Sequence, residues 1–135
     1  MRCGPSRKTS SEAGTTKSAA RLARNAAEII GDGDCLQIGI GKVQSAILAQ
    51  LKDRRDLGFQ SGLISDAVLD LIECGAVTGA RKTFEPGRLV GGLYIGTRRL
   101  YDFMHRDGTV SLRAANHTPA TPVMARIDNF VSINS

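Results

Sequence analysis

Residues 35–51 read CLQIGIGKVQSAILAQL, and this stretch decides the fold. Its first part, 35–40, is a short apolar run that predicts a strand. Gly39 and Gly41 mark a tight turn, and the apolar residues of 43–51 recur on one face of a helix. A strand, a glycine turn and a helix in this order predict the beginning of a βαβ unit.

The same alternation of strand and helix recurs along the rest of the chain. Further strands are predicted at 58–64, 89–95, 109–115 and 130–133. Helices are predicted at 16–30, between Ser65 and Gly75, at 97–106 and at 122–127, with Ser65 and Thr121 as N-caps.

Strands that alternate with helices of about ten residues are typical of βαβ units. We therefore expect an α/β fold, a mostly parallel sheet with flanking helices and about five strands between Gly33 and Ser135. Because a parallel sheet is normally covered on both faces and this sequence stops within a strand, we expect the domain to be incomplete.

The composition is that of a folded protein with a polar leader. Of 135 residues, 41% are hydrophobic and 23% are charged, which is ordinary for one globular domain. Residues 1–16 are rich in Ser, Gly and Thr and lack apolar periodicity, so a disordered leader is predicted there.

The charge and hydropathy patterns disfavour nucleic-acid and membrane partners. Four of the cations behind the net charge of +5 are Arg2, Arg7, Lys8 and Lys17, all near the N-terminus, and no aromatic residues interleave with a basic stripe. No apolar run approaches the roughly 20 residues of a membrane span, and no signal-peptide pattern is present. We therefore expect a cytoplasmic protein.

The cysteines and histidines predict no metal site. Cys3, Cys35 and Cys74 are widely spaced and odd in number, so we interpret them as reduced thiols, the last two packed in the core. His105 and His117 have no carboxylate or cysteine at ligand spacing. A Ser-His-Asp triad is rejected because no serine lies in a nucleophile-elbow sequence.

Three loops follow predicted strands at their carboxyl ends, where open parallel sheets bind ligands. They span 39–42, 61–66 and 96–98. The first offers backbone amides at a helix N-terminus beside Lys42, which suits an anion or a carbonyl oxygen. A purely structural turn explains it equally well, because Gln44 stands where the dinucleotide fingerprint needs its third glycine.

Arg98 and Arg99 begin the predicted helix at 97–106, with Asp102 one turn on. We interpret them as a solvated helix face with an internal ion pair. Contact with a nucleotide phosphate is the alternative.

Six segments follow one another from Asp32 onward: LQIGIG at 36–41, LG at 57–58, LISD at 63–66, KT and PG within 82–87, GT and LYDF within 96–103, and VSINS at 131–135. In this order they resemble the acetyl-CoA hydrolase/transferase family, which includes acetate, succinate and 4-hydroxybutyrate CoA-transferases. The resemblance covers roughly three quarters of the chain, and the ordered series is far more specific than any one segment.

The resemblance implies a fold of the NagB/RpiA/CoA-transferase type, with residues 17–135 as part of the C-terminal domain of a two-domain enzyme. It implies transfer of CoA between carboxylates or hydrolysis of acetyl-CoA, with coenzyme A as a substrate and no metal or redox cofactor. Acyl-CoA, small carboxylates and the missing remainder of the parent enzyme are the implied partners, and a homodimer of the parent is compatible with it. Backbone amides of glycine loops steady the oxyanion in such enzymes, so the candidates for binding substrate and CoA are Gly39, Gly41, Ser61 and Gly96.

The chain departs from the family at the catalytic residue. The family reads Ser-Glu-Met/Leu-x-Ser-Asp where residues 61–66 read SGLISD, so Gly62 takes the glutamate's place and Asp66 matches a family aspartate. That glutamate attacks the thioester to give an acyl anhydride and then a glutamyl-CoA thioester, which glycine cannot do. Further departures are Gln44 for a family proline and the sequence at 119–121. We therefore predict no catalytic residue and no activity for this chain alone, with a non-catalytic acyl-CoA-binding relative as the alternative.

Overall fold

The computed structural model describes residues 17–114, 116–118 and 120–134, and the predicted leader at 1–16, with Cys3, lies outside them. The described residues form one five-stranded sheet in which every paired strand is parallel. The strands are β1 (Cys35–Ile38), β2 (Gly58–Ser65), β3 (Leu89–Ile95), β4 (Val110–Leu112) and β5 (Phe130–Ile133). Their order across the sheet is β4-β3-β2-β1-β5, so β2 is central. The predicted α/β fold with a parallel sheet is confirmed.

Five helices connect or precede the strands. They are α1 (Lys17–Ile29), α2 (Lys42–Ala49), α3 (Asp66–Glu73), α4 (Arg98–Arg106) and α5 (Thr121–Met124). The first four pack on one another in chain order, which places them on one face of the sheet. Within the described residues, no helix has the length and apolar character needed to cross a membrane.

Several predicted boundaries are wrong. The strand predicted at 35–40 ends at Ile38, and the helix predicted at 122–127 ends at Met124. The strand predicted at 109–115 is limited to the three residues of β4, because its ladder with β3 ends where Leu112 pairs with Gly91. Thr121 is already helical and Ala120 is the N-cap of α5, because the carbonyl oxygen of Ala120 accepts the amides of the first turn, from Val123 at 2.9 Å and Met124 at 3.0 Å.

The core lies between the sheet and the helices. Leu36 and Phe59 from the sheet and Ile47 and Leu71 from α2 and α3 are fully or almost fully buried there. Burial of such side chains stabilises the fold by roughly 1.5–3 kcal/mol each. Cys35 is buried as predicted, whereas the prediction that Cys74 is a core residue is only partly right, because it lies at the end of α3 and is half-buried.

The second face of the sheet carries a buried lysine. Lys82, in the loop before β3, is 5% exposed. Its Nζ donates to the carbonyl oxygens of Phe59 and Arg88, at 3.2 and 2.9 Å, and to Oε1 of Gln60 at 3.3 Å. Burial lowers the pKa of Lys82. The side chain therefore fastens this loop over the middle of the sheet.

The side-chain alternation of β2 and β3 shifts once along each strand. Phe59 and Ile64 are an odd number of positions apart, so a regular strand would place them on opposite faces, yet both lie in the same core cluster. Leu89 and Tyr94 in β3 are likewise five positions apart and lie in the same core cluster, so β2 and β3 keep their pairing register. The shift in β2 falls between Phe59 and Ile64, and Gly62 lies within this interval.

Candidate functional site

Two of the three loops singled out in the sequence lie at one edge of the sheet. Because β1, β2 and β3 are parallel and adjacent, their carboxyl ends point toward the same edge. Gly39 and Gly41 follow β1, and Gly96 follows β3. The loop predicted at 61–66 is wrong, because residues 61–65 belong to β2, where they pair with β3, and Asp66 begins α3. Ser61 therefore lies in the middle of β2, level with the end of β1.

The loop after β1 depends on glycine at position 41. Gly41 is the N-cap of α2 with φ at +149°, and a Cβ there would lie 2.5 Å from Oε1 of Gln44. Gln44 is 3% exposed, so its side chain fills the space beneath the turn. The amide of Gly39 donates to the carbonyl oxygen of Ile133 in β5, at 3.2 Å. The contacts with Gln44 and Ile133 therefore fix the loop, and Lys42 is exposed at the first position of α2.

Ser61 is closed to solvent. Its Oγ lies 2.8 Å from the carbonyl oxygen of Leu63 and 3.1 Å from that of Ile38, and it accepts the amide of Ile38 at 3.3 Å. The backbone pairing of β1 with β2 extends only to Leu36 and Phe59. The hydroxyl therefore bridges β2 to the end of β1 beyond the last residue pair of their ladder, and its role in binding stays a prediction.

Asp66 joins the junction of β2 with α3 to the loop after β3. Its Oδ2 accepts the amide of Thr97 at 2.8 Å, and its Oδ1 accepts the hydroxyl of Thr97 at 3.1 Å. A Cβ at Gly96 would lie 2.8 Å from that same Oδ1 and 2.8 Å from Cδ2 of the buried Leu100, so a larger residue there would force these side chains to move. Asp66 therefore satisfies the N-terminus of α4 from the first turn of α3. Sequence reasoning found only a family aspartate here, because the contact joins residues 31 positions apart.

Gly62 opens onto free space. A Cβ built there has no atom within 4 Å, and Gly62 is not among the glycines with positive φ. The nearest aspartate in sequence, Asp66, already binds Thr97 through both carboxylate oxygens. Position 62, within β2, therefore has open space around a Cβ but carries no carboxylate.

The arginines of α4 behave differently from one another. Arg98 forms the predicted pair with Asp102 at 3.6 Å, and it is 91% exposed. Arg99 instead binds Asp70 at 2.8 Å and also Glu73, both in α3. The hydrogen bonds that Arg99 donates to Glu73 and Asp70 raise the pKa of Arg99. Its role is to tie α4 to α3.

The two histidines lie apart from the binding edge. His105 is exposed in the last turn of α4, and the ring centroid of His117 lies 6.4 Å from that of Phe84 in the loop before β3. Among the residues that the structure describes, no three His, Cys, Asp or Glu side chains are grouped to hold a metal ion.

Comparison with curated proteins reveals clear relatives, although no family model matches the chain. The 4-hydroxybutyrate coenzyme A transferase of Clostridium kluyveri is 38% identical over 114 residues, which are 84% of this chain and 27% of that protein. The succinyl-CoA:cyclohexane-1-carboxylate CoA transferase of Geobacter metallireducens is 34% identical over 108 residues, covering 80% of this chain and 25% of that protein. The chain thus spans about a quarter of the length of these relatives.

Solved structures agree with these relatives. A 4-hydroxybutyrate CoA-transferase from Porphyromonas gingivalis superposes with a TM-score of 0.83 at 34% identity, over 86% of this chain and 30% of that one. RipA from Yersinia pestis superposes with a TM-score of 0.82 at 32% identity, over 86% of this chain and 27% of that one. Sequence and fold agree over more than four fifths of the chain, and the chain belongs to the CoA-transferase family.

Proposed function

We propose that this chain supplies part of an acyl-CoA and carboxylate site in a protein that moves CoA between carboxylates or hydrolyses an acyl-CoA such as acetyl-CoA. Residues 17–135 would form part of its C-terminal domain. The observation that carries the proposal is that the loops after β1 and β3 and the junction of β2 with α3 lie at one edge of a parallel sheet, and that a Cβ at Gly41 or Gly96 of the two loops would force its neighbours to shift. Backbone amides at such positions can approach a thioester carbonyl oxygen and stabilise the charge that develops on it.

The residues at this edge can bind an acyl-CoA, but the nucleophilic carboxylate of the family is missing. The covalent route of the family needs a carboxylate to attack the thioester carbon, and the position that corresponds to it is Gly62. Asp66 does not replace it, because its carboxylate caps α4. We therefore propose that the 135-residue chain binds acyl-CoA but does not catalyse CoA exchange by itself. Absence of a cofactor and location in the cytoplasm stay predictions.

Gly62 also supports a second candidate, a non-catalytic acyl-CoA-binding relative. The surroundings of position 62 retain the bridging hydroxyl of Ser61 and the cap formed by Asp66, although the nucleophile is missing. A protein that only binds acyl-CoA needs this scaffold and not the carboxylate. Both candidate proteins would bind acyl-CoA, but only the first would catalyse its conversion.

Calorimetric titration with acetyl-CoA tests the shared part of the proposal. We expect saturable binding, and we expect Gly96→Ala to weaken it at least about fivefold, or about 1 kcal/mol, because the new Cβ displaces the Asp66 carboxylate and with it the third loop. Gly108→Ala is the matched control, since a Cβ there meets no atom within 4 Å and the residue follows α4 near the opposite edge. Equal affinity of Gly96→Ala and wild type, or no binding by the wild type, would contradict the proposal.

Exchange of labelled acetate into acetyl-CoA separates the two candidates. We expect none from the 135-residue chain, and none after Gly62→Glu, because a carboxylate without the facing parts of the site has little positional advantage. In a longer parent chain, Gly62→Glu should instead produce an acyl-enzyme or CoA adduct detectable by mass spectrometry. Exchange by the unmodified chain would mean that the nucleophile lies elsewhere. Exchange by the unmodified parent would eliminate the non-catalytic candidate.

A further inference from the structure

The second face of the sheet is covered near one end and open near the other. Toward the amino ends of β2 and β3, Lys82 binds Gln60, and both Gln60 and its ladder partner Val90 are fully buried. Toward the carboxyl ends, Leu93 is 51% exposed and Ile95 is 46% exposed. The fold therefore leaves large aliphatic side chains uncovered in the carboxyl half of this face.

Three apolar residues share this open part of the face, and we call Leu63, Leu93 and Ile95 the apolar strip. Ile64, which follows Leu63, and Tyr94, which separates Leu93 from Ile95, pack into the core between the sheet and the helices. Because successive side chains of a strand point to opposite faces, the strip points away from the helices. Leu63 pairs with Leu93 in the ladder, so their side chains are neighbours. None of the three side chains carries a charge.

The apolar strip begins beside the position from which the family attacks a thioester. Gly62 takes the place of the carboxylate that attacks the acyl carbon, and Leu63 is the next residue. The acyl chain of a thioester is attached to that same carbon. In a complex, the chain would therefore begin within a few ångströms of position 62 and extend along the neighbouring apolar side chains.

The size of the apolar strip suits an aliphatic chain. Neighbouring strands lie about 4.8 Å apart and two residues along a strand span about 6.7 Å, so Leu63 and Ile95 are about 8 Å apart across the strip. With C–C bonds of about 1.5 Å, an extended chain of about six to eight carbons covers this distance. A protein partner would need a far larger surface, since stable interfaces involve about 20 residues or more on each side.

We propose that the apolar strip binds the acyl chain of a CoA thioester, and that the protein prefers saturated, uncharged acyl groups of about six carbons to acetyl. This inference rests on the proposed function, because it requires that acyl-CoA binds at the carboxyl edge of the sheet. A charged end group is disfavoured, since a carboxylate against aliphatic side chains loses hydration and gains no partner within the strip. Leu93 is the specificity-determining residue, because it lies between Leu63 and Ile95 and is the most exposed of the three.

Calorimetric titration of the full chain with three thioesters tests the preference. They are acetyl-CoA, hexanoyl-CoA and adipoyl-CoA, which has the hexanoyl chain length but ends in a carboxylate. A fully buried methylene raises affinity about fourfold, and an open sheet covers a chain on one side only, so we expect about twofold for each added methylene. Hexanoyl-CoA should therefore bind at least about tenfold more tightly than acetyl-CoA, and adipoyl-CoA at most about twofold more tightly.

Threonine substitutions identify the residues that bind the acyl chain. Leu93→Thr keeps a side chain suited to a strand but removes apolar area, so it should reduce the hexanoyl preference at least about threefold and leave acetyl-CoA affinity unchanged. Leu112→Thr is the matched control and should change neither. Leu112 is 64% exposed in β4, and it lies two positions after Val110, which packs against the core on the helix side. Ile95→Thr is a second strip variant in case Leu93→Thr alters the circular dichroism spectrum.

Several results would overturn the proposal. Equal affinity for acetyl-CoA and hexanoyl-CoA would reject the apolar strip and leave the proposed binding of acyl-CoA intact, whereas no binding of any thioester would reject both. A hexanoyl preference that Leu93→Thr and Ile95→Thr both retain would place the acyl chain elsewhere. Adipoyl-CoA binding as tightly as hexanoyl-CoA would contradict the requirement for an uncharged chain. Sedimentation equilibrium of the same samples tests a second copy as the occupant: self-association that Leu93→Thr abolishes, without a hexanoyl preference, would assign the strip to that contact instead.

Discussion

Alanine at two glycines of neighbouring strands should have opposite effects on stability. At Gly62, a Cβ meets nothing within 4 Å and φ is not in the left-handed region. Alanine there removes conformational freedom from the unfolded chain without strain in the folded one, so we expect Gly62→Ala to raise the free energy of unfolding by about 0.4–1 kcal/mol.

At Gly91, the same substitution forces a clash inside the core. A Cβ would lie 2.8 Å from Cγ1 of Ile64 and 2.8 Å from ring carbons of Tyr94. Neither neighbour can move freely, because Ile64 is fully buried and the Tyr94 hydroxyl donates to the carbonyl oxygen of Leu89 at 3.0 Å. Overpacking of this kind costs about 1–3 kcal/mol. After the same gain from the unfolded state, Gly91→Ala should lose about 1–2 kcal/mol.

Urea unfolding followed by far-UV circular dichroism measures both variants against wild type. We expect them to differ by about 2 kcal/mol, with equal dependence on urea concentration. A loss of more than ~1 kcal/mol in Gly62→Ala would show that position 62 is not open. A wild-type midpoint for Gly91→Ala would show that the alternation shift in β2 and β3 is placed wrongly. If both expectations hold, Gly62→Glu should also fold.

Three further changes probe pH dependence, the strand ends and the helix contacts. Burial raises the pKa of the Cys35 thiol from 9.0 to about 11, so between these values the thiol ionises readily only in the unfolded chain. The free energy of unfolding of the wild type, relative to that of Cys35→Ala, should therefore fall by about 1.4 kcal/mol per pH unit from pH 9 to 11 in urea titrations. A difference that does not change with pH would refute this. Ser61→Ala removes the hydroxyl that bridges to Ile38 and should cost about 1–2 kcal/mol, with faster amide exchange at the end of β1; unchanged exchange would contradict the bridge. Arg99→Ala should cost about 0.5–1 kcal/mol at low salt and almost nothing at ~1 M salt, because its partners in α3 are solvent-exposed, and a salt-independent loss would point to packing instead.

Most of the fold was predictable because local periodicity determines it. The apolar run at 35–40 and the helical spacing after Gly41 identify a strand and a helix without knowledge of their neighbours. Parallel topology follows from their alternation, and it places the loops at one edge. Position 62 was identified from the family resemblance, since glycine itself gives no chemical signal.

The contacts that shape the site were not predictable, because they join distant residues. Asp66 and Thr97 are 31 positions apart, and Lys82 reaches Gln60 from 22 positions away. Periodicity carries no information on such pairs. One local feature of the sequence does indicate the change of side-chain alternation in β3, and it is the adjacent pair Gly91 and Gly92. Glycine within a strand often marks a bulge or a close approach of another group.

The site separates positioning from chemistry in a way that bears on Gly62. Positioning depends on several contacts: the hydroxyl of Ser61 bridges β2 to the end of β1, the carboxylate of Asp66 caps α4, and Gly96 leaves room for that carboxylate. A Cβ at Gly96 would displace the carboxylate of Asp66, so at least these two contacts are coupled. The nucleophile is different, because a Cβ at position 62 would meet no atom within 4 Å, so the fold does not depend on a contact from that atom. Its replacement by glycine therefore costs the fold little more than the entropy of one residue, about 1 kcal/mol or less. A protein can lose this carboxylate and keep its binding edge intact, so acyl-CoA affinity and CoA exchange must be measured separately.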